Sequence, residues 1–278
     1  METVTCAMSK VMGAGIVPVS LCPSTGAPHL LLGTERFVHG WSCSNKVSGF
    51  EGGNKYGENT EHNAARECQE ETLGLVYASK EECLSDLVNG KFIMCISNGF
   101  RSKSHVTYVT LVPWIDNISV KFNEVRTFLM ELDTVSKKFD SVRSRLRKMR
   151  MSALEEGQRT FSCILNNEMR IRSKLEQMLF ASPHASHPAI SVLRDTDGTL
   201  KRVTVNTDYL EKSDMQYISI PSALDMMTHK RSTLRPLFQP ILGVICANLS
   251  LVRISPGMQV ASRRDSLRIC SSQLTSIL

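Results

Sequence analysis

Arg66, Glu67, Glu70 and Glu71 lie within six positions of one another and are the part of this sequence best suited to chemistry. On a helix, positions i, i+3 and i+4 share a face. The three carboxylates therefore project together, and Arg66, four residues before Glu70, can brace it by an ion pair. Crowding negative charge this way costs stability unless a cation offsets it. A solvated acidic face is the ordinary explanation for glutamates alone, but the flanking residues favour another. Gly52–Gly53 and Gly57 allow a sharp turn ahead of the helix, and Glu58 returns toward its start. Hard divalent cations prefer carboxylate oxygens, and Mg²⁺ takes one or two carboxylates together with substrate phosphates. The spacing predicts a helix over Thr60–Leu73, capped by Asn59 or Thr60 and stopped by Gly74. Ala65, Cys68 and Thr72 fall on a different face and are small enough to lie against a sheet.

The same residues resemble the signature of the Nudix hydrolases. Gly52 is followed after five residues by Glu58, and after seven more by Arg66–Glu67; then come Cys68, Gln69 and Glu70–Glu71. Six fixed positions match by chance with odds on the order of 10⁻⁷ per starting point, so the spacing is a specific signal. One departure follows: two residues, Thr72 and Leu73, precede Gly74 where the family has one, which lengthens the helix exit. The resemblance implies an α/β Nudix fold, a mixed sheet sandwiched between helices. It implies that Glu67, Glu70 and Glu71 hold Mg²⁺ or Mn²⁺, with the Gly52 carbonyl and Glu58 as secondary contributors and Arg66 holding the carboxylates. It also implies hydrolysis of a nucleoside diphosphate linked to another group. In such enzymes the general base often lies late in the domain. Glu211 is the candidate here and Glu124 the weaker competitor, with a surface Glu211–Lys212 pair as the plain alternative. Arg36 and Lys55 are candidate phosphate contacts. Phe37 and Trp41 are read as core residues, with base stacking as the alternative.

The rest of the chain must position this stretch. Its 278 residues, 42% hydrophobic and 22% charged, suit one large domain or one domain with an insertion. Strands are expected at 14–21, 29–32, 189–193, 200–205 and 215–220, with a hairpin from 91–97 and 105–113. A helix starts at Pro221 and runs to about Thr228, and 241–252 reads as a buried helix or strand. From Lys121 to Phe180, Gly and Pro nearly vanish and apolar residues recur at helical spacing. That segment holds 13 Lys and Arg against 8 Asp and Glu, most of the chain's formal +6. Residues 1–118 and 186–255 are therefore read as a discontinuous Nudix domain, 119–185 as a basic helical insertion and 256–278 as a poorly ordered tail.

The insertion places Arg143, Arg147 and Arg150 at i, i+4 and i+7, a stripe suited to an RNA backbone if it is more than a solvated face. Its layout resembles decapping-type Nudix enzymes of large DNA viruses. The expected activity is accordingly decapping of capped mRNA, releasing methylated GDP and 5′-phosphorylated RNA. Hydrolysis of nucleoside triphosphates, dinucleoside polyphosphates or diphosphoinositol polyphosphates is the alternative, and an inactive RNA-binding module the second. Nine scattered cysteines without a CxxC pair point to reduced thiols in the cytoplasm. His184 and His187 read as a surface loop. No apolar run reaches the length of a membrane span, and the first residues do not read as a secretory signal.

Overall fold

The computed structural model describes residues 10–100, 103–150, 157–251 and 267–270. Its main sheet is built on β1 (Lys10–Leu21), which is buried on both faces from Gly13 to Ser20. One edge of β1 pairs in parallel with β6 (Lys103–Leu111). The other edge is shared by β2 (Pro28–Glu35) and, across Gly13–Ile16, by β4 (Phe50–Gly53). β3 (Val47–Ser48) and β9 (Lys212–Ser219) both add to β2, antiparallel. β5 (Met94–Phe100) forms the expected hairpin with β6. On its far side lies β10 (Leu267–Cys270), within the segment read as a poorly ordered tail, most of which lies outside the described residues.

Strand periodicity divides β1 between two cores. Ala14 and Ile16 join Tyr108 against Ala64, Ala65 and Cys68 of α1 (Thr60–Glu71) and against Cys83 and Leu87 of α2 (Lys80–Val88). Val17 and Val19 point the other way, toward Ile220 and Ala223 of α5 (Ile220–His229) and Phe238, Ile241 and Ile245 of α6 (Phe238–Leu251). The architecture is thus α/β, a mixed sheet between helices, as expected. Pro221 stands in the first turn of α5, and Asn248 lies within the apolar α6, where its amide donates to the Val244 carbonyl at 2.8 Å. No helix among the described residues is long and apolar enough to cross a membrane.

α2 is absent from the sequence reading. Its start is nonetheless written there: Ser79 caps the Glu82 N–H at 3.2 Å, and Glu82 accepts from the Ala78 N–H at 2.9 Å. Only Cys83 and Leu87 mark its buried face, too few for a visible period.

The chain divides into two compact units, 1–122 with 211–278, and 123–210. The second unit contains most of α3 (Ile118–Arg150), α4 (Gly157–Ala181) and the hairpin β7 (Ile190–Arg194) and β8 (Leu200–Val205). Leu129, Leu132, Phe139, Ile164 and Leu175 are buried at helical spacing, as the pattern predicts, whereas Leu165 is exposed. His184 packs near the ring of Phe128, and His187 meets Tyr209 edge-on.

Candidate active site

Two local devices start α1 where the site needs it. Gly57, at φ 81°, closes a turn in which the Glu58 N–H donates to the Lys55 carbonyl and the Lys55 N–H to Glu58 Oε2. Asn59 then caps the helix by accepting from the His62 N–H at 2.8 Å. At the far end the helix stops at Glu71, and Leu73 already has φ 55°. The additional residue before Gly74 therefore does not lengthen the helix exit. Leu73 takes the left-handed position where the motif has glycine, and burial of its side chain, 2% exposed, offsets the roughly 1–2 kcal/mol this conformation costs.

Arg66 is the hub of the first cluster. Its Nε and Nη2 form a fork on Glu58 at 2.8 and 3.0 Å. Nη1 reaches Glu67 Oε1 at 2.7 Å and Glu70 Oε2 at 2.8 Å, and Nη2 also donates to the Gly53 carbonyl at 3.0 Å. Arg66 is only 8% exposed. Burial draws its pKa down, yet Glu58, Glu67 and Glu70 hold it above its ordinary value. Arg66 in turn keeps Glu58 below the usual carboxylate range. Burial pushes Glu67 up to about 7 against the pull of Arg66, and the charges of Glu70 and Glu211 add to the rise.

Glu71 belongs to a second cluster that the sequence reading missed. Its Oε2 accepts from the Glu51 N–H at 2.8 Å, and its Oε1 lies 3.2 Å from Lys212 Nζ. Lys212 is fully buried and also bonds Glu35 Oε1 at 2.7 Å and Ser48 Oγ at 2.8 Å. Burial disfavours its charge, but Glu71 and Glu35 outweigh this and raise its pKa. Arg235 continues the chain of charges, 3.3 Å from Glu35 and 3.6 Å from Glu51.

Most oxygens of the predicted ligand set are engaged by protein groups. Among the described residues no three His, Cys, Asp or Glu side chains converge as ligands of one metal ion. Arg66 engages one oxygen each of Glu67 and Glu70 and both of Glu58, while Lys212 and the Glu51 N–H engage Glu71. The Gly52 carbonyl accepts from the Asn63 amide at 3.3 Å. Glu67 Oε2 and Glu70 Oε1 remain untouched by Arg66, which suits the one or two carboxylates that Mg²⁺ takes beside phosphates. Charge agrees. Across the two clusters six carboxylates (Glu35, Glu51, Glu58, Glu67, Glu70 and Glu71) meet three cations, the buried Arg66 and Lys212 and the half-buried Arg235. An excess of that sign is what a divalent cation complements.

Gly52 is required for a steric reason. A Cβ there would stand 2.2 Å from Glu67 Oε1 and 2.4 Å from its Cδ. Gly52→Ala is expected to push that carboxylate aside and lower kcat on the order of 100-fold, since displacement of about 1 Å has that effect, with circular dichroism showing the fold intact.

The other predicted residues separate. Glu211 is half-buried and its charge is felt by Glu67; its carbonyl accepts from the Arg36 N–H at 2.8 Å, which ties the Arg36 backbone to Glu211. The plain Glu211–Lys212 surface pair is wrong, because Lys212 points inward to Glu35 and Glu71. Lys55 is exposed and 3.6 Å from Glu70. Phe37 and Trp41 are not core residues: they are 68% and 38% exposed on the loop after β2. Glu124 is exposed on α3. Beside β4 lies a cleft of about 280 Å³ lined by Gly52, Glu51, His105, Arg235, Leu237 and Ile241. Burial holds His105 below its ordinary pKa there, against the pull of Glu51.

In the second unit the arginine stripe is incomplete. Arg143 turns inward, donates to the Lys201 carbonyl and lies 3.9 Å from the buried Glu168. Arg147 is exposed, and the Arg150 side chain lies outside the described residues. Arg143, Arg147 and Arg172 line a small cleft of about 170 Å³ with Glu168.

No protein-family model and no curated protein matches the chain. Solved structures similar to part of it include a C. elegans Ap4A hydrolase in a binary complex, at 17% identity over 38% of this chain and 68% of that one, TM-score 0.27. A MutT/nudix family protein from Enterococcus faecalis matches at 21% identity over 37% of each chain, TM-score 0.27. A Nudix hydrolase from M. smegmatis, RenU, matches at 14% identity over 37% of this chain and 59% of that one, TM-score 0.25. At such TM-scores the likeness bears no weight, and the chemistry has to come from this chain's own residues.

Proposed function

We propose that this chain is a Nudix-type diphosphohydrolase that cleaves a phosphoric anhydride in a substrate carrying a nucleoside diphosphate. The observation that carries this reading is the Arg66 cluster: Glu58, Glu67 and Glu70 gathered on one guanidinium, at the motif's spacing, with Glu67 seated on Gly52. Glu67 and Glu70 would hold Mg²⁺ or Mn²⁺, which when bound orients phosphates, activates water and neutralises the leaving group. Arg66 fixes the two carboxylates. Lys55, exposed beside Glu70, is placed to meet a substrate phosphate. Glu211, close enough to act on Glu67, is the candidate base. Phe37 and Trp41 offer exposed rings to a base.

The finer reading is that the substrate is capped RNA, supported by the local basic excess of 121–180 and by the exposed Arg147 beside Arg172. The inward turn of Arg143 favours the second reading, a small nucleotide or dinucleoside polyphosphate. A substrate panel separates them. The chain is incubated with Mg²⁺ or Mn²⁺ and cap-labelled RNA, beside free cap dinucleotide, nucleoside triphosphates and a dinucleoside polyphosphate. Decapping predicts release from long RNA with weak competition by free cap. It also predicts that Arg147→Glu slows long RNA several-fold and leaves free nucleotides unchanged. Preference for a free nucleotide removes decapping and keeps the enzyme class; no turnover of any substrate removes both.

A further inference from the structure

The three carboxylates of α1 have unequal access to a cation. Glu67 Oε2 has no hydrogen-bond or ion-pair partner among the described residues, and Glu70 Oε1 has only the exposed Lys55 at 3.6 Å. Glu71 has an oxygen bonded on each side, by Lys212 Nζ and by the Glu51 N–H. Lys212 cannot swing aside to release it. The ammonium is fully buried, and Glu35 and Ser48 hold it at 2.7 and 2.8 Å. A divalent ion on Glu71 Oε1 would share that oxygen with a fixed positive charge in a poorly screened interior. The Glu51 N–H on Oε2 ties Glu71 instead to β4, the strand that carries Gly52.

We propose that Lys212 is a positioning residue that withholds Glu71 from the divalent cation. On this reading, which rests on the anhydride-hydrolase proposal, the ion takes Glu67 and Glu70, and Glu71 serves to lock α1 to β4 and β9. The six carboxylates then face three internal cations, Arg66, Lys212 and Arg235, and one external ion, which takes Glu67 and Glu70 and leaves Glu71 to Lys212.

Mn²⁺ affinity of the full chain, read from the electron paramagnetic resonance signal of free Mn²⁺, tests this without turnover. Glu67→Gln is expected to weaken Mn²⁺ at least about 10-fold. Lys212→Met frees Glu71 and is expected to tighten it about 5-fold or more. Lys212→Met/Glu71→Gln, a neutral exchange of the pair, returns affinity to within about threefold of wild type. Glu71→Gln alone keeps the Lys212–Glu35 pair, is expected to fall within the same limit, and serves if the Lys212 variants do not fold. If Glu71→Gln or the double variant loses as much affinity as Glu67→Gln, or if a folded Lys212→Met gains none, the inference fails while the hydrolase reading stands. If Glu67→Gln binds as wild type does, the ion is not at this cluster and both fail.

Discussion

Glu67→Gln is expected to lower kcat at least about 100-fold on any anhydride substrate the chain turns over, and to leave the metal-free fold no less stable. The two halves of this expectation have one cause. Gln keeps the volume that sits on Gly52 and keeps an oxygen for Arg66, so packing survives. What is lost is the negative charge of an oxygen that Arg66 does not take. That charge is itself strained: burial pushes the metal-free Glu67 to about 7 from an ordinary 4.5. A carboxylate whose folded pKa is raised favours the fold while protonated, and that contribution is lost as pH climbs from 4.5 through 7. The metal-free wild type should therefore lose stability over this window, and Glu67→Gln should not. Urea melts at pH 5 and pH 8, beside rates at saturating Mn²⁺, check both halves. Equal rates in wild type and variant would remove Glu67 from the site.

Arg66→Met should do the opposite to stability. Removing the guanidinium leaves Glu58, Glu67 and Glu70 nearly buried without their shared cation, and breaking buried pairs this way costs about 3–5 kcal/mol. For a chain of this size that is a fall in Tm of roughly 6–20 °C. Because the uncompensated charges are those proposed to hold a divalent ion, millimolar Mn²⁺ should restore more of the loss in Arg66→Met than it adds to wild type. Differential scanning fluorimetry with and without Mn²⁺ reads both effects. A Tm within about 2 °C of wild type, or no larger Mn²⁺ response, would show that Arg66 does not hold these carboxylates together.

The local half of the site was legible in the sequence. The Asn59 cap, the Gly57 turn, the Arg66–Glu70 spacing and the small face of Ala65 and Cys68 are each properties of neighbouring residues, and the structure contains them. The long-range half was not. Lys212 meets Glu35 and Ser48 across 177 and 164 residues, and a lysine is by default a surface residue, so its burial is invisible until β9 is paired with β2. β4 was missed because a short stretch with two glycines has little strand propensity; its pairing with Gly13–Ile16 supplies the structure that its composition does not. Arg143 was misplaced for a related reason. Helical spacing puts it in line with Arg147, but the carbonyl of Lys201, 58 residues away, draws it inward.

The most direct test is a crystal structure of the wild-type chain with Mn²⁺ and a non-hydrolysable nucleoside diphosphate derivative, with Mn²⁺ located by anomalous scattering. We expect a peak between Glu67 Oε2 and Glu70 Oε1, within coordination distance of a ligand phosphate. A peak elsewhere, with Glu67 and Glu70 still folded onto Arg66 alone, would contradict the assignment.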